Sequence, residues 1–112
     1  MTPARGEVWW AVLDPTRGRE QAGRRPVLIV SADRYNGGGA DLVIAMPITS
    51  RLRGIPYHVT VQSPEGGLTA PSAILCDAVR SISKDRLESH LGTVSQSTMA
   101  AVEERIRLLM KV

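Results

Sequence analysis

A basic segment between two apolar runs holds the chain's densest group of side chains that can bind an anion. The segment Asp14–Pro26 separates the runs Val8–Leu13 and Val27–Val30, and it contains only two acids. Its four arginines are Arg17, Arg19, Arg24 and Arg25. A hairpin turn needs only about two to five residues, whereas longer connections keep their backbones solvated and their side chains accessible. We therefore predict that this segment forms the functional surface.

The overall charge also favours an anionic partner. The formal net charge is +3, and most of the 14 basic residues are arginine. Arginine presents a planar fork of donors that suits phosphate and can stack on bases, so nucleic acid is the first candidate partner. Arginine-rich codon usage in a GC-rich genome is an alternative explanation for the total count, but it does not explain the clustering in one segment.

Short apolar runs predict the strands that must position this segment. Glu7–Leu13 is apolar on both faces, which indicates a central strand or one in an interface. Tyr57–Gln62 alternates, as a half-exposed antiparallel strand does. The other predicted strands are Pro26–Ser31, Asp41–Ile48, Ser72–Cys76 with its continuation Ala78–Ile82 after a break at Asp77, and Leu91–Val94.

A single amphipathic helix is predicted near the C-terminus. Ser95 or Ser97 is expected to cap it. An apolar stripe then recurs at spacings of three and four residues, as on one helix face, and consists of Met99, Val102, Ile106, Leu109 and Met110. Several short strands and one terminal helix predict a mainly β fold in a single domain, 1–112. Its expected form is a small antiparallel barrel or curled sheet capped by a helix.

Other classes of protein fit the composition poorly. No apolar run approaches the ~20 residues of a membrane helix, and the first residues lack the apolar segment of a signal peptide. The single cysteine, Cys76, lies in an apolar run, so we expect a buried core residue of a cytoplasmic protein rather than a reactive thiol. His58 and His90 share no motif and are expected to be incidental. No Cys/His cluster or close carboxylate set indicates a metal site, and we expect no cofactor.

Four stretches of the chain match the motifs of one known family. They are Gly6–Trp10, Leu13–Val27, Met46–Arg51 and Ala78–Ser81. The run D-P-T-x-G-x-E-Q-x-G-x-R-P in the second stretch is highly specific. Together they resemble the MazF/PemK toxins, the endoribonucleases of bacterial type II toxin–antitoxin systems. The resemblance extends from about Arg5 to the final helix. It implies an SH3-like barrel with a C-terminal helix, a homodimer, metal-independent cleavage of single-stranded RNA or mRNA at short motifs, and inhibition by a cognate antitoxin.

The resemblance assigns catalytic roles to three residues. Arg25 falls on the family's arginine in x-R-P, Thr49 on its threonine, and Glu20 on its loop glutamate in G-x-E-Q. Attack of a ribose 2′-OH on its own phosphate leaves 2′,3′-cyclic phosphate and 5′-OH ends, and a fixed arginine would stabilise the charge on the phosphoryl oxygens. Pro26 restricts Arg25 to extended backbone, which would hold the guanidinium in place. The Thr49 hydroxyl could donate to the same phosphate.

Simpler interpretations of these three residues stay open. Arg25 could be a surface charge at the start of a strand, and Thr49 could be a turn former. Glu20 could accept the 2′-OH proton. Its neighbouring arginines favour a lowered pKa instead, and a salt bridge that orders the segment is the rival role. No separate general acid is evident, so Arg25 is a candidate for proton donor as well as for stabiliser.

Single-stranded RNA is expected to bind a groove that combines basic side chains with stacking surfaces. The candidate RNA-binding residues are Arg17, Arg19, Gln21, Arg24, Arg51, Arg53 and Arg80. No aromatic residue lies in the basic segment, so stacking is expected to rest on arginine planes, with Trp9 or Trp10 in the core. Many relatives carry a glutamine, suited to reading a base, where this chain has Ala78. The RNA sequence preference of those relatives is therefore not expected to hold for this chain.

Two other functions fit a small barrel of this kind. A CcdB-like toxin would poison DNA gyrase through protein contacts, and a non-catalytic barrel would only bind RNA. The arginine-rich segment and the run Pro47–Arg51 argue against the gyrase poison. In the preferred interpretation the partners are RNA and a MazE-like antitoxin, which is expected to be acidic because it must cover a basic surface.

Overall fold

Strands make up most of the regular structure in residues 2–13 and 23–112, which are the residues that the computed structural model describes. The strands are β1 (Glu7–Val12), β2 (Arg24–Ile29), β3 (Leu42–Thr49), β4 (His58–Val61), β5 (Ser72–Leu75), β6 (Arg80–Ser83) and β7 (Leu87–Thr93). The helices are α1 (Asp33–Asn36) and α2 (Gln96–Met110), and 3-10 turns span Glu65–Gly67, Cys76–Ala78 and Lys84–Arg86.

The strands pair into one antiparallel sheet in the order β4-β5-β3-β2-β1-β7, and β6 pairs with β3. β6 covers Leu42–Ala45 of β3, whereas β5 pairs with the last two residues of β3. Over the described residues the sheet does not close, so it is an open, barrel-like sheet with a C-terminal helix. The predicted mainly β fold with one terminal helix is confirmed. The predicted break at Asp77 is the 3-10 turn that joins β5 to β6.

The first strand is central, as its two apolar faces predicted. β1 lies between β2 and β7. Trp9 and Ala11 pack in one apolar cluster, and Val8 packs in a second cluster on the other face. β2 alternates in the same way, with Val27 in the cluster of Trp9 and Leu28 in that of Val8. Both faces of β2 are therefore anchored, and this packing fixes the residues at its N-terminal end.

Two strands begin before their predicted first residues. β2 begins at Arg24 rather than Pro26, because residues 24–26 pair with β1. β7 begins at Leu87 rather than Leu91, since it too pairs along β1. Residues 88–90 read Glu-Ser-His and show no apolar run. An apolar pattern reveals strands that enter the core, whereas backbone pairing with a central strand also holds polar ones.

The start of α2 is tied to the 3-10 turn at Glu65. Ser95 caps the helix, as predicted, because its hydroxyl accepts a hydrogen bond from the Thr98 N–H at 3.1 Å. Glu65 Oε2 accepts two more bonds, from the Thr98 hydroxyl at 2.6 Å and from the Ser95 N–H at 2.9 Å. These bonds, with that from Thr98 the largest, lower the pKa of Glu65.

Most of the predicted stripe on α2 packs on the sheet. Val102 is fully buried, and Met99, Ile106 and Leu109 pack against the same cluster. Met110, the last residue of the helix, is 64% exposed and lies outside the core of this chain. Over the described residues, no helix combines the length and the apolar character that spanning a bilayer requires.

We predict that Glu65→Ala lowers the free energy of unfolding at pH 7 by about 1–3 kcal/mol, because the change removes two hydrogen bonds to a carboxylate. The folded pKa of Glu65 lies below its ordinary value of 4.5. Its stabilisation is therefore complete at neutral pH and is lost as the pH falls through the folded pKa. Chemical denaturation should show that the difference in free energy of unfolding between wild type and variant is smaller at pH 3 than at pH 7.

Glu104→Ala is the matched control for this prediction, since Glu104 is an exposed glutamate on α2 whose carboxylate pairs with its neighbour Arg105. It should change the free energy of unfolding by less than about 0.5 kcal/mol. A gap between wild type and Glu65→Ala that stays constant from pH 7 to pH 3 would contradict the assigned role of the carboxylate.

Candidate active site

Arg25 and Thr49, the predicted catalytic pair, lie near each other at the ends of neighbouring strands. Val27 of β2 pairs with Pro47 of β3, and continuing this register by two residues sets Arg25 opposite Thr49. On its other side, Arg25 pairs with Ala11 of β1. Both Arg25 and Thr49 are half-buried. The sheet therefore brings a guanidinium and a hydroxyl to one end of two adjacent strands.

The Thr49 hydroxyl is oriented by the loop that follows β3. Its Oγ1 accepts a hydrogen bond from the Arg51 backbone N–H at 3.1 Å. This bond uses a lone pair of the oxygen, so the O–H proton remains free to be donated. The hydroxyl is therefore suited to donate to an anion held by Arg25.

Two cavities meet at this pair of residues. One has a volume of about 520 Å³ and the other about 500 Å³, and Arg25 and Thr49 line both of them. Volumes of this size are typical of sites for small organic ligands. We call the larger one, whose wall includes Asp77, the Asp77 cavity, and the other, whose wall includes Trp10, the Trp10 cavity. Arg25 and Thr49 form the boundary between the two.

The Asp77 cavity is rich in positive charge. Arg51 and Arg53 from the loop after β3 line it together with Arg25, and both are exposed. Asp77 is the one acid among the described residues that line it. Guanidinium groups in this number favour phosphate or another anionic oxygen group, to which they can donate charge-assisted bonds.

His58, which was expected to be incidental, lines the Asp77 cavity. Its Nε2 lies 3.2 Å from Asp77 Oδ1, and its side chain is only 10% exposed. The two residues are far apart in sequence and meet because His58 of β4 pairs with Leu75 of β5, just before Asp77. No local motif could have revealed this contact. His90 lines neither cavity.

The Trp10 cavity contains an aromatic face that the sequence did not indicate. Trp10 is half-buried and lines this cavity, whereas Trp9 is 2% exposed and belongs to the core. The Arg24 guanidinium lies over the Trp10 ring, with Cζ 4.2 Å from the ring centroid. Arg24 Nε also donates to Glu88 Oε1 at 2.5 Å. Stacking at this site can therefore use an indole ring as well as an arginine plane.

Four of the predicted site residues lie outside the described residues, namely Glu20, Arg17, Arg19 and Gln21. The two ends of their segment are described. The Leu13 N–H donates to the Gly23 carbonyl oxygen at 2.9 Å, which places both ends next to Arg24 and Arg25. Arg80 lies in β6 and lines neither cavity, so the structure does not group it with Arg51 and Arg53.

Cys76 adjoins the site but is a buried core residue, as predicted. Burial raises the pKa of its thiol to about 11, although the charge of Arg105 acts in the opposite direction. Such a thiol is a poor nucleophile at neutral pH. Within residues 2–13 and 23–112, no three His, Cys, Asp or Glu side chains form a group that could hold a metal ion. The described side chains that line the two cavities include guanidinium, hydroxyl, imidazole and carboxylate groups.

Comparison with known proteins identifies the family. Residues 4–110 match the family of PemK-like, MazF-like toxins of type II toxin–antitoxin systems. The chain is 33% identical over 109 residues to the endoribonuclease MazF9 of Mycobacterium tuberculosis, in a match that covers 93% of this chain and 92% of the relative. The crystal structure of MazF from Deinococcus radiodurans is similar with a TM-score of 0.89 and 32% identity, over 100% of this chain and 99% of that chain.

A structure of a complex is also similar. The MazE-MazF crystal structure from Deinococcus radiodurans gives a TM-score of 0.83 and 32% identity, over 100% of this chain and 98% of that chain. The chain therefore belongs to the PemK-like, MazF-like toxin family. The resemblance read from the four sequence stretches is confirmed, and the barrel-like sheet with its C-terminal helix is the fold of these relatives.

Proposed function

We propose that this chain is the toxin of a type II toxin–antitoxin system and acts as a sequence-specific endoribonuclease on single-stranded RNA, including mRNA. Family membership supports the activity in general. The observation that carries the proposal is the placing of Arg25 and Thr49 at the boundary of two cavities, one of them lined by further arginines. A phosphate bound at this boundary would leave a nucleotide in each cavity. Cleavage of mRNA would then inhibit translation and growth.

The proposed reaction is an attack of the ribose 2′-OH on the adjacent phosphate. The bond from 2′-oxygen to phosphorus forms, the bond from phosphorus to the 5′-oxygen breaks, and the products carry a 2′,3′-cyclic phosphate and a 5′-OH. The Arg25 guanidinium stabilises the charge that builds on the phosphoryl oxygens, and the Thr49 hydroxyl donates to one of them. The 2′-oxygen loses a proton and the 5′-oxygen gains one, so the reaction balances without a metal ion.

Glu20 is the proposed acceptor of the 2′-OH proton, on the resemblance alone. A salt bridge with the neighbouring arginines remains the rival role of Glu20. Arg25 is the proposed proton donor to the leaving oxygen as well as the stabiliser.

The remaining groups at the boundary support RNA binding. Arg51 and Arg53 are exposed in the Asp77 cavity and would bind phosphates. In the Trp10 cavity, the Trp10 ring and the Arg24 guanidinium would stack on a base. Arg17, Arg19 and Gln21 extend the proposed groove, and so does Arg80, although it lines neither cavity.

We further propose a cytoplasmic homodimer that is inhibited by a cognate, MazE-like antitoxin. The complex of MazE with MazF in Deinococcus radiodurans supports such a partner. Because the described surface around Arg25 carries several guanidinium groups, an antitoxin that covers it should present acidic side chains.

The first test of this function is cleavage of a mixed single-stranded RNA by the purified protein in EDTA. We expect discrete cuts with 2′,3′-cyclic phosphate and 5′-OH ends, as mapped by end-specific ligation. Arg25→Ala should keep the wild-type melting temperature and lose at least about 100-fold in cleavage rate, since the loss of one group that stabilises charge in a transition state has an effect of this size.

Arg34→Ala is the control, because Arg34 is an exposed arginine in α1 that lines neither cavity. It should cleave at the wild-type rate. RNA that stays intact over a broad range of sequences, or cleavage that requires an added metal ion, would contradict the proposed function. Normal cleavage by Arg25→Ala would contradict the site and leave the family unaffected.

A second prediction concerns the salt dependence of RNA binding. In an Arg25→Ala background that does not cut, Arg51→Ala and Arg53→Ala should each weaken binding to all single-stranded sequences alike. Each should also reduce the slope of log affinity against log salt by about 0.7, because one phosphate contact is lost. Fluorescence titrations at several salt concentrations would measure this slope. Arg107→Ala, on the exposed side of α2, should leave it unchanged, and an equal slope in all variants would exclude phosphate contacts at Arg51 and Arg53.

A further inference from the structure

The Asp77 carboxylate lines a cavity that is proposed to bind RNA, which is a polyanion. The cavity is lined by Arg25, Arg51 and Arg53, and Asp77 is the one acid among its described lining residues. The Asp77 side chain is 45% exposed, so it is accessible to a ligand. A carboxylate repels phosphate at close range. It must therefore face a part of the RNA that presents hydrogen-bond donors, and not the backbone phosphates.

His58 holds this carboxylate in place. A carboxylate only accepts hydrogen bonds, so the contact at 3.2 Å is a bond from His58 Nε2–H to Asp77 Oδ1. The His58 side chain is nine-tenths buried, and its buried Nδ1 has no hydrogen-bond partner among the described residues. A buried polar atom left unpaired lowers stability. Buried Nδ1 cannot bond to RNA, and Nε2 is engaged with Asp77. The ring is therefore placed to orient Asp77.

The hydrogen-bonding pattern of the bases decides what Asp77 would recognise. The Watson–Crick edge of guanine presents two adjacent donors, N1–H and the N2 amino group, which match the two oxygens of a carboxylate. Adenine and cytosine each place an acceptor next to their one amino donor, and uracil has one N–H between two carbonyl oxygens. A carboxylate thus pairs fully with guanine and meets a repelling lone pair on every other base.

The neighbouring residue leaves space for such a base. Ala78 follows Asp77 in the 3-10 turn and also lines the cavity. Its methyl group cannot hydrogen-bond, so base recognition at this turn falls to Asp77. The cavity volume of about 520 Å³ is within the usual range for small organic ligands.

We propose that Asp77, oriented by His58, reads a guanine in the nucleotide next to the scissile phosphate. The inference rests on the proposed function, because it places the phosphate at Arg25 and Thr49. Asp77 is the residue that contacts the base, and His58 is a positioning residue.

The test begins with the wild-type protein and a randomised single-stranded RNA pool, sequenced at the cut ends. We expect guanine at one position next to the cut. In an oligonucleotide with this site, inosine in place of that guanine lacks the N2 amino group, and cleavage should slow by about 10- to 100-fold, the size of one lost bond to a charged group. Adenine at the same position should slow cleavage further. This comparison of RNA substrates needs no protein variant.

The variants then connect the preference to the residues. Asp77→Asn should lose the preference for guanine over adenine at that position by at least about tenfold while other positions of the motif stay unchanged. His58→Leu should weaken the preference in the same direction, whereas His58→Gln, which keeps a donor, should retain more of it. Asp85→Asn is the control, since Asp85 is an exposed acid that lines neither cavity, and it should cut the wild-type motif.

The outcomes separate this inference from the function on which it rests. A wild-type protein that cuts no RNA would overturn both. A wild-type motif without guanine next to the cut, or equal cleavage of guanine and inosine substrates, would overturn only the reading of guanine by Asp77. An Asp77→Asn variant that cuts every sequence more slowly by one common factor, with its motif intact, would also overturn it and would assign the carboxylate to proton transfer.

Discussion

The antiparallel register between β2 and β3 is the constraint on which the site depends. Val27 opposite Pro47 sets Arg25 across from Thr49, although the two residues are far apart in sequence. A slip of one residue would turn each side chain of β2 to the other face of the sheet and would put Arg24 in place of Arg25. The core prevents this slip, because Val27 and Leu28 are buried on opposite faces. The site therefore forms only when the sheet does.

Electrostatics around this pair favour a partner with the opposite charge. Several guanidinium groups lie close together at the two cavities, and their mutual repulsion is relieved when anions bind between them. RNA supplies phosphates, and an acidic antitoxin would supply carboxylates. Because both would neutralise the same arginines, binding of one should exclude the other from this surface. The His58–Asp77 pair stands apart, since it offers an acceptor within a surface of donors.

Much of the fold could be predicted from local patterns. The two apolar faces of β1, the alternation of β4 and the cap at Ser95 depend on neighbouring residues, and each was visible in the sequence. The polar start of β7 was not, because only its pairing with β1 holds it.

The candidate site also combines residues that local sequence could predict with residues that only the fold brings together. Arg25 and Thr49 were predicted from motifs as members of the candidate site, whereas Trp10, His58 and Asp77 were not assigned to it. Trp9 and Trp10 are adjacent tryptophans in one apolar run. Only the packing of β1 shows that Trp9 lies in the core and that Trp10 lines a cavity. His58 and Asp77 meet through the register of β4 with β5, and no spacing in the chain encodes that contact.

The proposed mechanism requires the ribose 2′-oxygen to attack a phosphate held between Arg25 and Thr49. The most direct measurement replaces one 2′-OH by hydrogen in an RNA with two identical cut sites, at the nucleotide just before the scissile phosphate of one site. We expect cleavage at the altered site to disappear, while the unaltered site is cut at its normal rate in EDTA. Cleavage that continues at the altered site would show that another nucleophile acts, and would contradict the mechanism proposed for this toxin.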